Sequence, residues 1–330
     1  MREYNGKINV TKDTMLFVVN SVFENNIKES TTKENILKMM PDIYENADEE
    51  KIIEMLPYRA YKDLERLIEY VKMSDDIKTF FLKREHPDIR FLEEAMIIVL
   101  RVKYHDYNYT LNPGVIEKLE GLFSEENKKI AKRYGEIEDL TKGMLYAYGI
   151  VDFEFLRKQL SKYMNEIITE TELRDIYFTR LNLNLFVNNY NIRWTNTNEI
   201  QAFVTYLDEE ESPIDIGQIA EEQKARKMTY KQFSKQELLK REEYLYDERA
   251  KKLYKFIKSK NDNIYEWTFK RLLKNNELGI NISGDLFNMC MFEDDFELKK
   301  FMNLFNDWYN NSPQYMLGGY SPIEFRGTYK

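Results

Sequence analysis

The chain has 330 residues, of which 43% are hydrophobic and 14% aromatic, and this excludes an intrinsically disordered protein because disordered chains are poor in aromatic residues. Its net charge of −8 excludes a uniformly basic surface, its single cysteine excludes an intramolecular disulfide, and its two histidines exclude a histidine-rich zinc centre. Twelve glycines and seven prolines are few for this length, so we predict a mainly α fold. The longest apolar run, Ala95–Leu100, is too short to span a bilayer, and we expect a cytoplasmic protein without a membrane partner.

Residues 1–125 are predicted to form an N-terminal bundle of about six short helices. Apolar residues recur with helical spacing from about Tyr58 onward. The segment Ile89–Tyr104 is apolar on almost every side, which predicts the most buried helix of this half of the chain. Asn112 followed by Pro113 predicts a further helix start, because proline is favoured at the first helical position.

Three helix starts carry the capping-box pattern, in which a hydroxyl and a glutamate carboxylate each accept a hydrogen bond from a free backbone N–H. They are Thr31-x-x-Glu34, Thr169-x-x-Glu172 and Ser234-x-x-Glu237. Each pattern runs into apolar residues, so we expect a helix to begin at each one.

Residues 126–207 are predicted to form a winged-helix-like module, in which three short helices precede one small β-hairpin. The helices begin near Leu140, Asp152 and Thr169, and the strands of the hairpin are Leu185–Val187 and Asn191–Trp194. The Asn-Asn pair between the strands favours a tight turn, because asparagine tolerates positive φ.

The winged-helix-like module offers candidate contacts to DNA or to a protein partner. In DNA-binding modules of this kind the third helix enters the major groove and the wing contacts phosphates. The candidate residues are Arg174, Arg180 and Asn184 on the third helix and Arg193 in the wing. Seven basic and eight acidic residues lie between positions 139 and 207, however, and this balance favours a structural or protein-binding module over a reader of DNA.

The stretch Gln223–Lys260 is the most basic part of the chain, with 13 lysines and arginines against five acidic residues. We predict one long helix over Ser234–Lys260, with an apolar stripe on one face. Lys251, Lys255 and Lys258 line another face, which could follow the phosphates of a nucleic acid. The alternative is an ordinary solvated face that pairs with acidic residues of the same chain.

Residues 208–330 are predicted to be a C-terminal helical region that ends in a docking tail. The last long helix is expected over Asp294–Tyr309. The tail contains Ser321-Pro322-Ile323-Glu324, in which a capping serine, a proline and a glutamate predict a compact helical turn.

The tail resembles a closing motif, W-N-x-(S/T)-P-x-x-x-x-x-G-x-(S/T)-P-x-E, of uncharacterised proteins from low-GC Gram-positive bacteria and their mobile elements. The matching residues are Trp308, Asn310 or Asn311, Ser312, Pro313, Gly319, Ser321, Pro322 and Glu324. One extra residue separates Trp308 from Pro313. The segments LYAYGIVDFEFLRKQLSKY and Met228–Leu239 also resemble those proteins, so the resemblance covers roughly the last 190 residues. It implies a mobile-element setting and brings no catalytic residues.

The sequence contains no phosphate-binding loop, no nucleophile elbow and no dinucleotide-binding glycine motif. We therefore expect a non-enzymatic interaction or regulatory protein without a cofactor, whose partner is a protein or a second copy of the chain. The alternative is a nucleic-acid-binding regulator that uses the winged-helix-like module and residues 223–260. The third hypothesis is a metal-dependent nuclease or other hydrolase built from scattered carboxylates.

Overall fold

The computed structural model describes residues 7–73, 87–103, 106–174, 176, 191–195, 201–205, 229–240, 246–277 and 282–328. The chain forms two compact units. The first unit comprises Met1–Glu138 and Ile167–Asn188, and the second comprises Asp139–Glu166 and Asn189–Lys330.

Helices dominate the first unit. They are α1 (Lys12–Phe17, continued by a π-helical turn at Val18–Val22), α2 (Lys33–Asn46), α3 (Glu49–Met55), α4 (Tyr58–Met73), α5 (Pro87–Glu94), α6 (Pro113–Leu119) and the start of the long α7 (Glu125–Tyr148). The predicted start at Asn112-Pro113 is confirmed, whereas the start predicted at Thr31 is one residue early. Thr32 caps α2, and the carboxylate of Glu34 instead accepts two hydrogen bonds from Arg101, at 2.6 and 2.8 Å.

The first unit also contains a small antiparallel sheet that the sequence analysis missed. Its strands are β1 (Lys7–Ile8), β2 (Ile98–Lys103) and β3 (Asp106–Leu111), in the order β1-β2-β3. The prediction of one buried helix over Ile89–Tyr104 is therefore wrong, because α5 ends at Glu94 and the chain turns at Met96 with a φ of 58°. A short apolar run does not distinguish a buried helix from a buried strand, and the β-branched residues of this run favour the strand.

Buried tyrosines connect the helices of the first unit to distant backbone. Tyr44 donates to the carbonyl of Ala95 at 2.8 Å, and Tyr61 donates to that of Leu122 at 2.9 Å. Their hydroxyl groups are thus hydrogen-bonded although both rings are buried, which removes the desolvation cost of an unpaired polar group.

The second unit opens with the end of α7 and a three-stranded antiparallel sheet. The next elements are β4 (Ile150–Asp152), α8 (Phe153–Met164), β5 (Asn191–Thr195) and β6 (Gln201–Thr205), and the sheet order is β4-β6-β5. The predicted cap is confirmed, since Asp152 accepts from the N–H of Phe155 at 2.9 Å. The predicted strand at Asn191–Trp194 is confirmed as β5, and it pairs with β6, which was not predicted.

The other elements of the predicted module are described only in part. The strand predicted at Leu185–Val187 lies outside the described residues. The third helix begins as predicted, because Thr169 accepts from the N–H of Glu172 at 3.1 Å, and its helical backbone is described over residues 170–174 and at residue 176.

Residues 229–240 pack along α7 and α8. They include α9 (Lys235–Leu239), which begins with the full capping box predicted at Ser234 and Glu237. Tyr148 donates to the carbonyl of Lys231 at 2.6 Å. Gly143 provides the room for this contact, because a Cβ atom there would lie 2.2 Å from the carbonyl oxygen of Leu238.

Four of the remaining helices surround an aromatic core, and these are α10 (Glu248–Lys260), α11 (Glu266–Glu277), α12 (Ser283–Asn288) and α13 (Asp295–Asn311). The last described helix is α14 (Pro322–Thr328). The single helix predicted over Ser234–Lys260 is wrong, because α9 ends at Leu239 and Asp247 caps a new helix by accepting from Ala250 at 2.9 Å. Phe269, Phe301, Phe305 and Trp308 lie at the centre of this core.

The tail docks inside the second unit. The buried ring of Tyr315 lies against Gly149, where a Cβ atom would come within 2.6 Å of it. The predicted turn at Ser321 is confirmed as the start of α14, because Ser321 and Glu324 bond each other's backbone N–H. Glu324 also forms an ion pair with Lys231 at 2.6 Å.

The structure confirms the mainly α fold. The division into domains at 1–125, 126–207 and 208–330 stays a prediction. None of the described helices combines the length and the apolar composition that crossing a membrane requires.

Candidate interaction surface on the C-terminal helices

The solvent-facing side of α10 carries a row of lysines. Ala250, Leu253 and Ile257 are fully buried and hold the opposite side of the helix in the aromatic core. Lys251, Lys255 and Lys258 are spaced by four and three residues, which places them one above the other on the exposed side, as predicted. The structure therefore brings these three candidate residues together.

The lysines of the row differ in what they contact. Lys251 forms an ion pair with Glu248, 2.8 Å away and one turn earlier, and this hydrogen bond raises the pKa of Lys251. Lys258 donates to the carbonyl oxygens of Asp262 and Ile264, the latter at 3.2 Å. Lys255 and its neighbour Lys252 are exposed and have no ion pair among the residues that the structure describes.

Two exposed aromatic rings lie at the end of this row. Tyr265 and Trp267 are 66% and 65% exposed, and their rings are nearly parallel, at 19° with centroids 6.5 Å apart. The connection between α10 and α11 places these rings near the row, because Lys258 donates a hydrogen bond to the carbonyl of Ile264, the residue before Tyr265. Tyr254 bonds the same carbonyl at 3.4 Å.

Helix α11 adds two further cations beyond Trp267. Lys270 and Arg271 follow Trp267 by three and four residues and are exposed. Lys270 pairs with Glu266 at 2.6 Å and lies over the ring of Tyr246, 4.5 Å from its centroid. We define the basic–aromatic surface by the exposed or half-exposed side chains Lys251, Lys252, Lys255, Lys258, Tyr265, Trp267, Lys270 and Arg271. Carboxylates border it as well, among them those of Asp247, Glu248, Asp262 and Glu266.

A second group of exposed apolar side chains lies near the start of α13. Met291 and Phe296 are 84% and 74% exposed, and Phe287 on α12 is 42% exposed. Phe287 packs against Phe292 with ring centroids 5.2 Å apart. Three exposed acids, Glu293, Asp294 and Asp295, lie between Met291 and Phe296, so this surface is acidic where the first is basic.

The candidate residues of the winged-helix-like module are described only in part. Arg174 lies in the first unit, half exposed, and forms an ion pair with Glu170 at 2.5 Å. Arg180 and Asn184 lie outside the described residues. Arg193 is placed on strand β5, where its backbone pairs with Phe203.

The described carboxylates do not form a metal site. Within the described ranges, no three His, Cys, Asp or Glu side chains lie close enough to hold a metal ion. The most unusual acids are Glu93 and Glu94 of α5, which are both buried. Burial raises the pKa of Glu94 to about 7, although Arg90 donates to it at 2.8 Å, and burial also raises the pKa of Glu93.

Tyr265 and Trp267 were not among the residues predicted from the sequence to contact a partner. A usable signal was present, because Phe269, Leu272 and Leu273 form the apolar stripe of α11 and Trp267 lies off that stripe. An exposed tryptophan beside a lysine row is a stronger indication of binding than the lysines alone.

Comparisons with known proteins identify no relative: no family model, no curated protein and no solved structure matches the chain.

Proposed function

We propose that the protein is a non-enzymatic binding protein and that its ligand is a nucleic acid, held by the basic–aromatic surface. The observation that carries the proposal is the exposed lysine row of α10 beside the stacked pair Tyr265–Trp267. Cations that approach phosphates release condensed counterions, which favours binding at low salt. Aromatic rings add contacts to the bases.

The ordinary alternative is that the lysines form a solvated face. Glu248 and Glu266 indeed pair with Lys251 and Lys270. Each of these is an exposed pair within one helix, however, and such pairs contribute little to stability. Solvation explains exposed lysines, but it does not explain why two large rings remain two-thirds exposed beside them.

A salt series tests the proposal. Fluorescence anisotropy of a labelled oligonucleotide is measured with the full chain between about 50 and 200 mM KCl. If roughly three phosphates are neutralised, the affinity falls about 20-fold over this range. A double variant, Lys251→Glu with Lys255→Glu, is expected to abolish most of the binding.

The matched control changes two exposed lysines of α7 in the same way, Lys129→Glu with Lys132→Glu. Both double variants change the net charge equally, so only a local effect separates them. Equal loss of affinity in the two, or no binding by the unmodified protein at low salt, contradicts the proposal.

A second candidate function, binding of a second copy of the chain, is favoured by the exposed Met291 and Phe296. Large exposed apolar side chains are typical of protein interfaces. Sedimentation equilibrium of the unmodified protein and of Phe296→Asp tests it. A dimer that the substitution disrupts supports this function, and a monomer at all concentrations contradicts it.

A further inference from the structure

We infer that the nucleic acid is single-stranded and that its unpaired bases stack on Tyr265 and Trp267. The inference rests on the proposed function and names the class of nucleic acid. In a duplex, the flat faces of the bases are covered by their neighbours, so an aromatic side chain reaches them only by separating the stack. Single strands expose these faces, and proteins that bind them combine a cationic track with aromatic platforms.

The geometry of the ring pair fits such a platform. The two rings are inclined by only 19° to each other, so they present flat faces in nearly the same direction. Both are about two-thirds exposed, which leaves area for contact with bases. Stacking also tolerates any base, and we therefore expect little sequence preference.

Cations flank the platform along the fold. Lys258 donates a hydrogen bond to the carbonyl of Ile264, the residue before Tyr265, and so lies near the first ring. Lys270 and Arg271 follow Trp267 by three and four residues, within one helical turn. A strand whose bases stack on the platform therefore has cations near its adjoining phosphates.

An anionic membrane is the competing ligand, since tryptophan, tyrosine and lysine also occur at membrane interfaces. Helices that lie on membranes insert an apolar face into the lipid. The apolar side of α10 is unavailable for insertion, because Leu253 and Ile257 are fully buried in the aromatic core. This difference favours the nucleic acid.

The test compares a single strand of about 20 nucleotides with a duplex of the same sequence, both bound to the full chain. The single strand is expected to bind at least tenfold more tightly. Trp267→Ala is expected to lower the affinity for the single strand about tenfold and to leave the affinity for the duplex unchanged. Trp267→Phe, which keeps a flat ring, is expected to retain most of the affinity.

Ile167→Ala is the matched control, because Ile167 is a large apolar side chain that is 84% exposed and lies in the first unit. It is expected to leave both affinities unchanged. Equal, salt-dependent binding of both nucleic acids that is insensitive to Trp267→Ala overturns this inference and leaves the proposed function standing. The absence of salt-dependent binding to either nucleic acid overturns both. Binding of phosphatidylserine vesicles that displaces the single strand and is lost in Trp267→Ala also overturns the inference.

Discussion

The first unit and the helices after residue 246 both bury hydrophobic cores, yet they present different surfaces. In the described part of the first unit, the large apolar side chains that remain exposed are Met39 and Ile167. The described residues from 246 onward expose seven, which are Tyr265, Trp267, Phe287, Met291, Phe296, Met302 and Ile323. Since the described residues of both regions bury a hydrophobic core, the exposed apolar side chains of the second are a property of its surface, and under the proposed function they mark where a ligand binds.

The ion pairs of the basic–aromatic surface differ from several pairs of the first unit. In the first unit, pairs such as Arg101–Glu34 and Arg133–Glu172 connect different elements of the fold. On the basic–aromatic surface, Lys251–Glu248 and Lys270–Glu266 connect neighbours on one helix. A pair between neighbours contributes little to stability, so a phosphate can replace the carboxylate at small cost.

The largest expected effect is on the free energy of unfolding, and it distinguishes a buried from an exposed phenylalanine of the same helix, α13. Phe301 of α13 is buried among other rings, including Phe305 at a centroid distance of 6.1 Å. Phe301→Ala is expected to lower the free energy of unfolding by about 3–5 kcal/mol, because it leaves a cavity. Phe296→Ala, five residues earlier on the exposed side, should change it by no more than about 0.5 kcal/mol. Urea denaturation measures both, and similar costs would show that Phe296 belongs to the core.

The next effect concerns the buried acid of the first unit. The pKa of Glu94 is raised from 4.5 to about 7 in the folded chain, first because of burial. The folded state therefore holds this proton more tightly than the unfolded state, so the stability that Glu94 contributes is fully present below pH 4.5 and is lost as the pH rises through 7. The loss should be about 3 kcal/mol relative to Glu94→Gln, which does not titrate. Denaturation of both proteins at pH 5 and pH 8 checks the sign, and parallel pH profiles would contradict the assignment.

A smaller effect on stability is expected from substitutions at two glycines of α7, one in each unit. Cβ atoms added at Gly135 and Gly143 would lie 2.6 Å from the Cβ of Tyr58 and 2.2 Å from the carbonyl oxygen of Leu238. We expect each glycine-to-alanine substitution to destabilise the protein by roughly 1–3 kcal/mol, since overpacking outweighs the gain in helix propensity. Gly284→Ala is the control, because no atom lies within 4 Å of its added Cβ. It should be neutral or slightly stabilising, and thermal unfolding midpoints compare the three.

The smallest effect tests the capping box of α9. Ser234→Ala removes the acceptor for the N–H of Glu237 and should cost about 1 kcal/mol. Ser259→Ala serves as the control, because Ser259 lies near the end of α10 and caps no helix start. Urea midpoints measure both variants, and an equal cost would show that the hydroxyl of Ser234 does not act as a cap.

Local signals in the sequence were sufficient for the helix starts at Asp152, Thr169, Ser234 and Ser321, because a cap depends on residues within one turn. They were insufficient to predict strand β2, because this segment is a strand only through its pairing with β1 and β3. The basic–aromatic surface was likewise predictable from the sequence only in part. The lysine row of α10 was predictable from helical spacing, whereas the placement of Tyr265 beside it depends on the bond between Lys258 and Ile264.

Photocrosslinking tests the central claim most directly, because it locates the ligand on the chain without relying on a variant. A single-stranded oligonucleotide that carries bromouracil is irradiated with the full protein, and the modified peptides are identified by mass spectrometry. We predict crosslinks to the peptides that contain Tyr265 and Trp267, which disappear as salt is raised. Crosslinks confined to the first unit, or none at low salt, would contradict the assignment of the basic–aromatic surface.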